Sequence, residues 1–208
     1  MTIVDCSNDL DAAIGQARHA VADGGLVVLP TDTVYGVGAN AFSPRAVDKL
    51  LTAKGRGRDK PSPVLVAFPE DAAKLTTSIP EAARALMDEF WPGALTIILP
   101  ARQEIGWDLG ETGGTVALRM PDNPIALALL QQAGPMAVSS ANLTAQHPAA
   151  TAQQARDQLG DKVAVYLDGG KCGGGEPSTI VIVGEKLEIV RHGAIADSDI
   201  ARFGTLAG

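Results

Sequence analysis

Four cations fall at alternate positions in the stretch AKGRGRDKPSP: Lys54, Arg56, Arg58 and Lys60. The surrounding chain is acidic, with 24 Asp and Glu against 17 Lys and Arg and a formal net charge of −7. Like charges this close repel one another, and the interleaved Asp59 relieves only part of that. Arginine forks and lysine point charges suit the oxygens of a phosphate chain, so an anion is the natural partner. The competing expectation is a solvated loop whose cations complement the C-terminus of a preceding helix. Two further groups carry hydroxyls and amides, PTDTVYG at 30–36 and SSAN at 139–142, each directly after an apolar run. Open α/β sheets bind ligands at strand ends, and loops held by such scaffolds often carry function. Taken singly, the same residues read as turns or helix N-caps.

Other chemistries are excluded by spacing. Two cysteines, Cys6 and Cys172, make no disulfide framework, and no Cys/His cluster has zinc spacing, so no protein-held metal is expected. The segment GKCGGG lacks the spacing and the Lys-Ser/Thr pair of a P-loop. YGVGAN stops at two glycines, short of a dinucleotide fingerprint. The three histidines, His19, His147 and His192, read as structural, and no G-x-S-x-G elbow is present. Net negative charge and 4 % aromatic residues argue against general nucleic-acid binding. The first residues lack a signal-peptide pattern and no apolar run spans a membrane, so a cytoplasmic protein without membrane contact is expected.

The elements that must position these groups alternate between strand-like and helix-like. The segment at 9–25 reads as a helix ending on Gly24-Gly25. Ser43 as N-cap, Pro44 at the first helical position and Gly55 past the end frame another. Further helices are expected at 80–90, 123–134 and 151–160, with a short one from Asp197. Strands are expected at 26–30, 63–68, 94–100, 115–120 and 135–139, and three more close the chain (163–168, 178–183, 186–191). Continuous apolar strands among helices predict an α/β (α+β) fold, and the late run of strands makes the sheet mixed. At 208 residues and 46 % hydrophobic, with no repeat or linker, one domain is expected. The glycine-rich loop at 169–177 is either a flexible connection or a close backbone approach to a ligand.

In order and spacing, LPTDTVYGVGANA, KGRGRDKP, FWPGALTIIL, TVALRMPDNP, SSAN, and STIV with VRHG resemble the YrdC-like family. The resemblance runs from about residue 8 to 203 and includes the K-x-R…S-x-N tetrad as Lys54, Arg56, Ser140 and Asn142. It implies a single YrdC-like domain over 8–203: a twisted mixed sheet with flanking helices around a large, positively charged concave cavity. The further C-terminal domain of the longer branch is not expected. The implied activity is L-threonylcarbamoyladenylate synthesis, a nucleotidyl transfer joining L-threonine, bicarbonate and ATP and releasing pyrophosphate. The product feeds tRNA modification next to the anticodon through downstream threonylcarbamoyl-transferase proteins. Magnesium, bound mainly through the ATP phosphates, is the implied cofactor.

By the same resemblance, the tetrad is catalytic: Lys54 and Arg56 neutralise phosphate charge, and Ser140 and Asn142 hydrogen-bond phosphate and carbamate oxygens. Arg119, Thr33 and Val138 hold the amino acid, with Arg119 as its carboxylate clamp. Arg56, Lys60, Thr115, Ser140, Ser178 and Arg191 contact the nucleotide. Arg119 could instead pair with Asp122 or another acid. Two positions depart from the pattern. Leu65, or alternatively Ala67 or Phe68, stands where some relatives carry a threonine-contacting histidine, and Ala149 falls nearest a position that is often small and polar. The rival functions are a non-catalytic paralogue binding double-stranded RNA or tRNA, and a carbamoyl-transfer domain of a longer hydrogenase-maturation protein. The zinc-type cysteines of the latter are missing here.

Overall fold

The computed structural model describes residues 2–173 and 175–207. The chain runs β1 (Thr2–Asp5), α1 (Leu10–Ala22), β2 (Val27–Leu29), β3 (Gly36–Asn40), α2 (Pro44–Lys54) and β4 (Val64–Leu65). It continues through α3 (Pro69–Leu75), α4 (Glu81–Phe90), β5 (Leu95–Pro100), β6 (Thr115–Arg119), α5 (Pro124–Ala133) and β7 (Met136–Ser140). The last elements are α6 (Ala152–Leu159), β8 (Val165–Asp168), β9 (Thr179–Val183), β10 (Leu187–Arg191) and α7 (Asp197–Ile200).

Local chemistry accounts for the helix ends. The Asp9 carboxylate accepts from the Ala12 amide, and the Ser43 hydroxyl accepts from the Ala46 amide. Asn123 and Thr151 cap α5 and α6 in the same way. Gly55 closes α2 at φ 62°, a left-handed position that glycine adopts without strain.

All ten strands form one mixed sheet in the order β1-β8-β2-β3-β7-β4-β6-β5-β9-β10. Pairs β1/β8, β2/β8, β4/β6 and β5/β9 are parallel, and the rest antiparallel. Because strand side chains alternate, each strand serves two faces. Leu95, Ile97 and Leu99 of β5 join Val116 and Leu118 of β6 in the larger core, beneath α2, α3, α4 and α6. On the opposite face, α1 and α5 bury Val27, Leu29, Met136 and Leu167 in a smaller core. That smaller core includes no described residue of β5, β6, β9 or β10. Where the helices stop, the same face lines a cavity of about 410 Å³, with Thr96, Ile98, Thr115, Ala117, Arg119 and Ile180 on its wall.

Four elements differ from expectation. Residues 2–5 form the edge strand β1, and α3 occupies a segment where no helix was expected. The stretch 63–68 pairs only at Val64–Leu65, since Pro69 starts α3 directly after Phe68. YGVGAN contributes strand β3, its glycines serving packing: a Cβ on Gly36 would lie 2.6 Å from Val138 Cγ1, and one on Gly38 2.9 Å from Met136 Cε. Gly36→Ala should therefore cost about 1–3 kcal/mol of stability through overpacking. In urea unfolding, Gly36→Ala/Val138→Ala should lose less than the sum of the two single substitutions; strict additivity would mean that Gly36 does not give way to Val138.

Candidate active site

The cavity crosses the strand ends on the sheet's uncovered face, and three arginines line it: Arg56, Arg119 and Arg191. No carboxylate belongs to the lining among the described residues. Arg119 projects from the last position of β6 and is 7 % exposed. Its Nη2 donates to Asp32 Oδ1 at 2.6 Å, its Nη1 to Thr33 Oγ1 at 3.0 Å, and its Nε to the Gly93 carbonyl at 2.9 Å. A Cβ on Gly93 would sit 2.6 Å from the Phe90 carbonyl, which explains the glycine in FWPG. Three of five guanidinium N–H groups are thus used, leaving one on each Nη. The acid that Arg119 meets is Asp32; Asp122 enters only through its amide, which also donates to Asp32 Oδ1.

Thr33 is fixed from the other side. The Thr31 hydroxyl donates to the Val34 carbonyl at 2.6 Å and accepts from the Thr33 and Val34 amides at 3.2 Å, and it lies 3.0 Å from the Thr33 hydroxyl. The two threonines of PTDT therefore form one buried unit against Arg119.

Arg191 reaches the cavity through a break in strand periodicity. On β10, Ile189 pairs with Val181 and Arg191 with Ile180, leaving Val190 as an extra residue. This bulge places Val190 and Arg191, neighbours in sequence, together on the cavity wall. Arg191 donates to the Ser178 carbonyl at 2.7 and 3.0 Å and to the Ser178 hydroxyl at 2.9 Å, and that hydroxyl lies 2.8 Å from Thr96 Oγ1. Burial and then repulsion from Arg119 and Arg56 hold Arg191 below the ordinary arginine range. Arg56 and Arg119 are likewise lowered by burial, offset in part by Asp59 and Asp32 respectively. All remain charged.

The four cations of the glycine-spaced stretch do not act together. Arg56 alone lines the cavity, donating to Ser139 Oγ at 3.0 Å and to the Pro61 carbonyl at 3.3 Å. Lys54 is 3 % exposed and turns away to donate to the Asn142 carbonyl at 2.6 Å and to the Ser140 carbonyl. Lys54 thereby grips the strand end through these two carbonyls. Burial, reinforced by Arg56, brings its ammonium down to about 8. Arg58 pairs outside the cavity with Asp48 and Asp108, and Lys60 is exposed and absent from the lining.

Of the remaining candidates, Thr33, Thr115, Val138, Ser140 and Ser178 line the cavity. Asn142 does not: its Nδ2 donates to the carbonyls of Leu143 and Gln146, and Oδ1 is buried without a partner. Leu65 contributes an apolar wall where a histidine was considered, and Ala149 is a core residue whose carbonyl accepts from the Tyr35 amide. Four contributors were missed: Thr31, Asp32, Thr96 and Ser139. Thr96, a lone hydroxyl inside LTIIL, was the readable signal. The glycine-rich loop is tied down by Tyr35, whose hydroxyl donates to the Gly170 carbonyl at 2.6 Å, and Cys172 is buried in the larger core.

Comparison with known proteins now bears on these positions. The Sua5/YciO/YrdC family model, described as telomere recombination, matches residues 19–193. A Mycobacterium tuberculosis relative is 48 % identical over 200 residues, 95 % of this chain and 92 % of its own. A Bacillus subtilis relative named threonylcarbamoyl-AMP synthase is 40 % identical over 95 % of this chain, which spans 59 % of that protein. Among solved structures, Pyrococcus abyssi Sua5 complexed with L-threonine matches with a TM-score of 0.90 at 31 % identity, over all of this chain and 63 % of its own. E. coli YciO matches at 0.83 and 26 % identity, over 95 % and 97 %. The one-sheet fold, the order of motifs and these similarities agree: the chain belongs to the Sua5/YciO/YrdC family.

Proposed function

We propose that the chain is a threonylcarbamoyl-AMP synthase, a nucleotidyltransferase that consumes L-threonine, bicarbonate and ATP. The observation that carries this reading is a cavity lined, among the described residues, by three arginines and several hydroxyls and by no carboxylate. Such a lining suits a substrate set rich in carboxylate and phosphate oxygens. It also suits a reaction that needs positioning and charge neutralisation more than a protein nucleophile.

The free amine of threonine adds to carbon dioxide derived from bicarbonate, giving a carbamate and releasing a proton. A carbamate oxygen then attacks the α-phosphorus of ATP; the new P–O bond forms as the α–β bridge breaks, and pyrophosphate leaves with the electron pair. Arg119, oriented by Asp32 and Thr33, offers its two remaining N–H groups to the threonine carboxylate. Val138 and Leu65 wall the same region with apolar surface. Arg56, Ser139 and Ser140 face the phosphates, while Thr115, Ser178 and Arg191 take the rest of the nucleotide. Lys54 acts through the Ser140–Asn142 backbone, and Asn142 stabilises the turn that follows. No group of three His, Cys, Asp or Glu among the described residues could hold a metal. A magnesium ion, if carried on the ATP oxygens, would screen phosphate charge there. The product would serve downstream tRNA threonylcarbamoyl-transferases. No helix of the described residues is long and apolar enough to cross a membrane.

Pyrophosphate release should require ATP, threonine and bicarbonate together. Undiminished release without threonine, or none with all three, overturns the assignment. Arg56→Ala should lose about 2–4 kcal/mol of transition-state stabilisation, read as a fall in kcat/KM. Asp32→Asn should raise the threonine KM at least about tenfold with little change for ATP, because the freed Arg119 fork loses its orientation. Lys54 carries its proton below about 8 and loses it above. The free-enzyme kcat/KM should therefore decline as pH rises through that value; a flat profile from pH 7 to 9.5 would remove the Lys54 charge from the account.

A further inference from the structure

One member of the cation stretch faces neither substrate nor open solvent alone. Arg58 Nη1 donates to Asp48 Oδ1 on α2 at 2.7 Å, and Nη2 to Asp108 Oδ1 in the segment between β5 and β6. The Arg58 carbonyl accepts from the Glu111 amide at 2.8 Å. That bond demands a glycine beside it: Gly110 has φ 104°, and a Cβ there would lie 2.7 Å from the Arg58 oxygen. Trp107 stacks on Phe42, the residue before the α2 N-cap, with ring centroids 5.9 Å apart and planes at 14°. Between these fastenings Leu109, 4 % exposed, packs in the larger core and reaches the cavity wall, which Thr112 lines too. Arg56, two residues upstream of Arg58, faces the same space.

We propose that Arg58 is a positioning residue that straps residues 107–112 across the phosphate end of the cavity, so that Leu109 closes over a bound nucleotide and Arg56 is held towards it. What fills the cavity rests on the function proposed above; the strap itself does not. A guanidinium fork holds carboxylates on two elements in one fixed plane, a geometry that a lysine point charge on a flexible stem does not impose. The pairs are solvent-exposed, with side-chain exposures of 44 % for Arg58, 60 % for Asp48 and 46 % for Asp108. Such pairs are individually weak. The strap therefore opens readily to admit nucleotide, and its closure removes water from around Arg56.

The test uses the full chain carrying Arg58→Ala, Arg58→Lys or Gly110→Ala. Affinity for ATP and for threonine is read by calorimetry, and hydrogen exchange over 107–112 is read without ligand. Arg58→Ala should speed exchange over 107–112, leave exchange in α1 and α5 unchanged, and weaken ATP binding about 2–30-fold, as expected for two lost surface pairs. Threonine affinity should stay within about twofold, a split that general destabilisation would not produce. Arg58→Lys should recover part of the ATP affinity, and Gly110→Ala should reproduce the loosening by its steric route. The strap is overturned if exchange over 107–112 is unchanged in both Arg58→Ala and Gly110→Ala, or if it quickens while ATP affinity stays within twofold. A parent chain that binds no ATP would defeat the functional reading instead, and the exchange measurement would still decide whether Arg58 fastens the strap.

Discussion

Arg56, Arg119 and Arg191 share one cavity, and among the described residues the only salt-bridge partner they have is Asp32 on Arg119. Burial, and then repulsion from Arg119 and Arg56, lowers Arg191, and this crowding of buried cations is the constraint around which the site is arranged. Each guanidinium is held by neutral oxygens: the Gly93 carbonyl and Thr33 hydroxyl for Arg119, Ser139 and the Pro61 carbonyl for Arg56, and Ser178 for Arg191. Carbonyls and hydroxyls orient a cation without neutralising it, so the charge stays available to an anionic ligand. Paired acids at all three positions would have left a poorer anion site.

The sheet makes this convergence possible. Ten strands give two faces, but α1 and α5 bury only part of one, and β5, β6, β9 and β10 leave their outward positions to the cavity. Glycines allow the close approaches. Gly36 leaves room for Val138, and a Cβ on Gly193 would clash with the Pro177 carbonyl oxygen and lie 2.6 Å from the Thr179 amide nitrogen. The β10 bulge then turns Arg191 inward. Lys54 supplies a different service: buried under the strand end, it donates to the Asn142 carbonyl and to the Ser140 carbonyl, which also accepts from the Asn142 amide.

Much of this was legible in the residues, for local reasons. Ser43, Pro44 and Gly55 announce α2 through capping chemistry confined to a few neighbours, and apolar runs such as LTIIL announce strands. The grouping of Arg56, Ser140, Thr33, Arg119, Thr115, Ser178 and Arg191 came from the family pattern, and the cavity lining includes all seven. What escaped depends on long-range geometry. Nothing near Lys54 in sequence reveals that its ammonium points at carbonyls 86 and 88 residues away. Asp32 looked like turn chemistry because its partner lies 87 residues on. β3 was hidden because its two glycines, required by Val138 and Met136 across the sheet, imitate a loop. The bulge at Val190 shifts alternation by one residue and leaves no compositional trace.

Equilibrium urea unfolding of Arg56→Met beside the parent, with and without pyrophosphate, addresses the central claim most directly. If repulsion among the cavity arginines is offset only by a bound anion, the ligand-free variant should match or exceed the parent in stability. Saturating pyrophosphate should stabilise the parent, by about 2.7 kcal/mol at a hundred times its Kd, and the variant far less. A ligand-free variant that is clearly less stable, yet gains as much from pyrophosphate as the parent, would contradict the account.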